Sequence, residues 1–150
     1  MMLLSRRSLL AIAAVVDIAL HARPLPVAAK LLAARHELPP RHLETLLQAL
    51  VRAGILKGVR GPRGGYELAR ERRRITAGDI VRAAMLDGSE DTLGPMPHSP
   101  LIDGIIAPEV ETASAAFLST LDGITVEELC RRATEKAAAN DDGSHPNFTI

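Results

Sequence analysis

Apolar residues along the first half of the chain recur mostly at helical spacing. From Arg6, with Ser5 placed as an N-cap, Leu9, Ile12, Ala13, Val16 and Leu20 repeat at three and four and predict an amphipathic helix, with Asp17 outside its stripe. A short helical run follows Pro24 and Pro26, with Val27, Leu31 and Leu32 on one side, until "RHELPP" breaks it. Pro40 then suits the first position of another helix, where its missing N–H costs nothing. There Leu43, Leu46, Leu47 and Leu50 make one stripe, Arg41, Thr45, Gln48 and Arg52 another, and Gly54 ends the helix.

The period then changes. Residues 55–59 and 65–69 read as strands joined by "RGPRG", a hairpin in which Gly61, Gly64 and Gly65 permit positive φ and leave a thin tip carrying Arg60 and Arg63. A phosphate-cradling loop would lead from strand into helix; these glycines lead from strand to strand, which excludes that reading. Two helix starts share one design. In "ITAGDI" Thr76 caps with Asp79 and Ile75 staples to Ile80; in "ITVEEL" Thr125, Glu128, Ile124 and Leu129 take those roles. Between them lies the acidic, Gly- and Pro-rich stretch Asp87–Pro100, and then a helix from about Pro108 with Val110, Ala113, Phe117 and Leu121 in register.

Composition adds a division of labour. The 150 residues carry no formal net charge, yet residues 1–86 hold fifteen Lys and Arg against six Asp and Glu, while residues 87–150 hold three against twelve. The basic part invites a polyanion and the acidic part must face away from it. Aromatics make up 2%, which requires an aliphatic, mainly helical core. The chain divides into a basic part over 1–86 suited to a polyanion, a linker over 87–107, two helices over 108–139 and a loose tail over 140–150.

The paired arginines of "SRRSLLAIAAVV" imitate an export signal, but Asp17 and His21 interrupt the apolar run. A cytoplasmic location without membrane contact is the expectation. Cys130, the single cysteine, excludes an internal disulfide; it reads as a small apolar core residue, with a redox switch activated by Arg131 and Arg132 as the sharper alternative. His98 with Asp87, Glu90, Asp91 and Asp103 has no spacing that fixes a metal geometry and reads as a solvated acidic loop. Neither a nucleophile elbow nor a paired-carboxylate site is present, so no enzyme is expected.

Helix, helix-turn-helix and a basic glycine-tipped hairpin, in that order, form the layout of a winged helix that binds duplex DNA. The helix from Pro40 would enter the major groove and the wing the minor groove. Arg6, Arg7 and the run Arg70, Arg72, Arg73, Arg74 would supply phosphate contacts. The rival reading is a winged helix that serves as a protein-interaction module without DNA binding.

"LPPRHLETLLQALVRAGILKGVRGPRGGYELARERRRITAGDIVRAA" closely resembles winged-helix regulators of the IscR, NsrR and CymR type, the Rrf2 family. The resemblance implies a homodimer joined through the helix around Pro108–Leu121 by Val110, Ala113, Phe117 and Leu121 and bound to a palindromic site; a repressor is expected, because occluding a promoter needs no further surface. It places DNA contacts at Arg41, His42, Glu44 and Thr45, with Gln48 on the same face, and at the wing from Arg60 to Tyr66 (Arg60, Gly61, Arg63, Gly64, Gly65, Tyr66). Many members hold an iron–sulfur cluster through three cysteines in the loop that corresponds to Asp87–Pro100. That loop has none here, so no cofactor is expected and the effector, a small molecule or a partner protein, is unassigned.

Overall fold

The computed structural model describes residues 3–86 and 97–144. Among the described residues there are six α-helices and a two-stranded antiparallel sheet, with one aliphatic core: α1 Arg6–His21, α2 Ala29–Arg35, α3 Pro40–Arg52, β1 Leu56–Val59, β2 Gly65–Leu68, α4 Ala77–Met85, α5 Ala107–Leu121 and α6 Val126–Ser144. This is the mainly helical winged helix-turn-helix that the periodicity predicts.

α1 begins as expected, the Ser5 hydroxyl accepting from the Ser8 amide at 3.1 Å. The face it buries is the opposite one. Ala11, Ala14, Val15 and Ile18 are buried completely, while Leu9, Ile12, Ala13 and Val16 are half-buried and Leu20 is exposed. The helix is apolar nearly all round, and its small alanines let α4 and α6 approach closely, so bulk alone points the wrong way. Asp17, expected outside the apolar stripe, is only 8% exposed.

The helix-turn-helix is α2 and α3. Leu31 of α2 is exposed, contrary to its predicted stripe, while Leu32 and Val27 are buried. Both helices end in the same way. The Ile55 amide donates to the Leu50 carbonyl and the Gly54 amide to Val51 (3.0 Å each), with Gly54 at φ 75°. At the end of α2, Leu38 donates to Ala33 at 3.0 Å and Glu37 to Ala34 at 3.4 Å, with Glu37 at φ 52°. These are two Schellman ends, the second built on a glutamate where glycine is usual, which hid it from the sequence. In α3 the stripe Leu43, Leu46, Leu47 and Leu50 is wholly buried.

Thr76 and Asp79 form the full capping box that opens α4. Thr125 caps α6 through the Glu128 amide at 3.1 Å, but the Glu128 carboxylate turns to Arg131 and Arg132 instead of completing a box. The two similar starts are joined: Ala77 donates to the Ile124 carbonyl at 2.8 Å and Val126 to that of Ile75 at 2.9 Å. Arg82 of α4 then holds Asp122 through two bonds of 2.6 and 2.8 Å, which fixes the α5–α6 corner.

Helical backbone is already present at Pro100, and a π-helical segment Ile102–Ile106 runs directly into α5, so the linker predicted over 87–107 ends earlier than expected. The predicted loose tail starts too early as well, since α6 continues to Ser144. Most of the acidic stretch, residues 87–96, and the last six residues lie outside the described part. Among the described residues, no helix is long and apolar enough to cross a membrane.

Candidate nucleic-acid interface

α3 buries its leucines and thereby turns Arg41, His42, Glu44, Thr45 and Gln48 outward; all five are exposed. A 13-residue helix is about 20 Å long, and its start, where Pro39 and Pro40 leave no side-chain cap, carries Arg41 and His42. The Thr45 hydroxyl donates back to the Arg41 carbonyl at 3.3 Å. The face therefore offers a fork of donors at Arg41, an acceptor at Glu44 and an amide at Gln48, the groups that read base edges.

The wing pairs Leu56 with Leu68, Lys57 with Glu67, Gly58 with Tyr66 and Val59 with Gly65; Lys57 and Glu67 form an ion pair at 3.0 Å. Its tip, Arg60 to Arg63, is exposed. Gly61 has φ 113°, while Gly64 closes the turn by donating to the Gly61 carbonyl at 2.9 Å. Gly64 is needed for space: a Cβ there would meet the Val59 carbonyl.

Two wing residues have structural duties that the sequence reading assigned to DNA. Val27, just ahead of α2, pairs with Tyr66 like a third strand, its amide donating to the Tyr66 carbonyl at 2.9 Å and its carbonyl accepting from the Tyr66 amide at 2.8 Å. Gly65 passes so close to Val27 and Ala28 that a Cβ would run into their backbone. The Tyr66 ring is half-buried and packs against the core. Burial first, and then the Glu44 carboxylate, raise its phenol above the ordinary tyrosine value. Tyr66 thus ties β2 to the segment ahead of α2 through Val27.

Tyr66 is the chain's one tyrosine, so phenolate absorbance reports it alone. A raised folded pKa means that the unfolded chain deprotonates first; the contribution to stability is complete below the ordinary phenol pKa and is lost as pH rises through the folded one. We expect phenolate to appear at higher pH in the native protein than in urea, and at lower pH in Glu44→Gln than in the wild type. Coincident native and denatured titrations would contradict this placement.

The outlying arginines divide. Arg6 is exposed at the start of α1, whereas Arg7 donates to the Ala84 carbonyl at 3.3 Å and is tied to the end of α4. In the run after the wing, Arg70 holds the Gly54 and Arg74 carbonyls and Arg73 pairs with Glu71. Arg72 faces Cys130. Arg70 and Arg72 are thus engaged with the fold, while Arg73 and Arg74 stay exposed on the surface.

Cys130 is buried, and desolvation pushes its thiol up more than Arg72 pulls it down. Arg131 and Arg132 point instead to Glu128 and Glu135, so the proposed thiolate activation by its neighbours does not arise. His98 meets Asp103 at 3.1 Å in the open. A feature missed from sequence lies behind α3: Asp17 receives Arg35 at 2.7 Å, His36 at 3.1 Å and His21 at 3.1 Å, joining α1 to the end of α2 at the turn. Its signal was an aspartate inside an apolar helix.

An exposed polar face on the second helix of a helix-turn-helix, with an arginine-tipped wing anchored beside it, defines a winged-helix DNA-binding protein. Residues 4–132 match the family model described as "Rrf2: Iron-dependent Transcriptional regulator". The chain belongs to the Rrf2 family and is a DNA-binding transcription regulator, not an enzyme. It is 34% identical, over 99% of its length and 100% of the other's, to a Synechocystis sp. chain that carries the name of an HTH-type transcriptional regulator, slr0846. It is 35% identical to the HTH-type regulator IscR of Vibrio atlanticus over 82 residues, 55% of this chain and 47% of that one. In structure it is similar to T. potens IscR, with TM-score 0.68, 31% identity and 90% of each chain covered. CymR, the global cysteine regulator of B. subtilis, follows at TM-score 0.63 and 27% identity, covering 88% of this chain and 98% of that one.

The residues do not fit a cluster held by three thiolates. The chain has one cysteine, buried in the core, and among the described residues no group of three or more His, Cys, Asp and Glu is placed to hold a metal ion.

Proposed function

We propose that the chain acts as a homodimeric repressor on a palindromic operator, α3 reading the major groove and Arg60 and Arg63 entering the minor groove, under an effector other than a thiolate-held cluster. The observation that carries the dimer is α5: in fifteen residues it has no buried side chain. The π-helical segment and α5 expose Ile105 at 60%, Ile106 at 45% and Val110 at 57%, an apolar edge that a second copy would cover. The interface is centred further toward the N-terminus than the stripe read from sequence, because Phe117 and Leu121 are already half-buried in their own chain while Val110 and Ala113 are open. Two-fold symmetry then sets two α3 helices about 34 Å apart, one turn of duplex. Repression follows from occlusion of the promoter, which needs no further surface.

Sedimentation equilibrium tests this reading. The wild type is expected at twice the chain mass, and Ile106→Glu, Val110→Glu at the single mass. Burying two unpaired charges per subunit weakens the dimer by more than about a hundredfold. Operator binding should fall with it, since one half-site remains. A monomeric wild type, or a doubly substituted protein that stays dimeric and binds as before, would overturn the proposal.

A further inference from the structure

Between the N-terminal parts of α1 and α3 the surface sinks into a groove of about 760 Å³. Leu9, Leu10, Ala13 and Leu38 line it with hydrocarbon, and Arg6 and Arg41 stand at its border. Neither guanidinium has a hydrogen-bond or ion-pair partner among the described residues. The volume lies in the range of small-molecule sites, roughly 300–1,000 Å³.

A DNA backbone would use the two arginines and leave the hydrocarbon lining wet. The combination of apolar walls with unpaired cations at the border is complementary to a molecule that has an apolar body and one anionic end. We propose that this groove binds a small amphipathic organic acid, its carboxylate at Arg6 and Arg41 and its hydrocarbon on Leu9, Leu10, Ala13 and Leu38, and that occupancy releases the protein from DNA. The release rests on the DNA reading of α3 proposed above. Arg41 is exposed at the start of that helix and cannot pair with a carboxylate and a base edge at once. Acid and operator therefore compete, and each weakens the other by the same factor.

The probe is 1-anilinonaphthalene-8-sulfonate, whose fluorescence rises in apolar sites, displaced by octanoate or by octanol, with anisotropy on operator duplex measured in parallel. Octanoate is expected to displace the dye saturably, with octanol about tenfold weaker for want of charge-assisted bonds, and to weaken operator binding by about tenfold at saturation. Ala13→Phe fills the groove, and Leu9→Glu places a repelling charge in it. Each, once its helical circular dichroism matches wild type, should lose octanoate binding. If neither variant loses it, or octanoate never displaces the dye, the groove takes no organic acid and the inference fails. It fails equally if octanoate binds but leaves operator affinity unchanged, or if Ala13→Phe dissociates the dimer, which would make the groove a contact between copies. Operator binding without octanoate is read first: its absence would sink the DNA reading, while dye displacement would still report on the groove.

Discussion

Gly65→Ala is expected to displace the wing and to lower stability by roughly 1–3 kcal/mol, the usual cost of forcing atoms into a filled space. The added methyl would meet the Val27 carbonyl and the Ala28 amide, which are backbone and cannot swing aside. Relief requires β2 to move away from Val27, which breaks the two bonds of the Val27–Tyr66 bridge. Each such bond contributes about 0.5–1.5 kcal/mol net. Because that bridge fixes the direction of the hairpin, Arg60 and Arg63 should lose their common position with α3, and operator affinity should fall more than stability alone explains. Gly58→Ala is the control, since a Cβ there meets nothing within 4 Å and the strand gains from a stiffer unfolded chain. Urea unfolding and operator anisotropy of the two variants decide the matter. A Gly65→Ala protein as stable and as active as Gly58→Ala would show that the wing is held by something else.

Asp17→Ala should be the second large effect. The carboxylate is nearly enclosed, and three side chains from two helices converge on it: Arg35, His36 and His21. Hydrogen bonds to a charged group are worth about 1.5–3 kcal/mol, but Arg35 is 37% exposed and His21 49%, so both can return to water when the carboxylate is removed. A loss of roughly 1–3 kcal/mol is expected on that balance. His36 caps the end of α2 at the turn into α3, so the network also fixes the angle of the reading helix. Asp17→Asn keeps the shape and one acceptor oxygen and should recover part of the stability, as judged by urea midpoint at constant slope. Equal midpoints for wild type and Asp17→Ala would remove the network from the account.

What the sequence made legible was local. α3 could be read from four leucines at helical spacing, a proline at its start and Gly54 at its end, and the structure keeps all of these. The hairpin followed from its glycines, and the starts of α4 and α6 from threonine caps. Pairings between distant segments leave no such trace. Nothing in "PVAA" announces that Val27 will pair with Tyr66, and the two "IT" motifs do not say that they will bond to each other. The wrong face of α1 has the same origin, because an apolar helix surrounded on several sides has no single stripe to find. Of the site, the exposed face of α3 and the wing tip were legible. The duties of Gly65, Tyr66, Arg7 and Arg70 were not, since each depends on what the fold brings alongside.

If α3 reads the bases and the wing holds the duplex, as proposed, salt-titrated fluorescence anisotropy will separate the two contributions. The duplexes would be the chain's own upstream region and a shuffled copy; the proteins, wild type, Arg41→Ala and the double variant Arg60→Ala, Arg63→Ala. Wild type should prefer its own region and weaken steeply with salt, the wing variant showing a slope shallower by about one unit per lost phosphate contact. Arg41→Ala should keep most of the slope and lose about 1–3 kcal/mol of sequence preference. If all three bind both duplexes alike with a common slope, neither α3 nor the wing reads DNA.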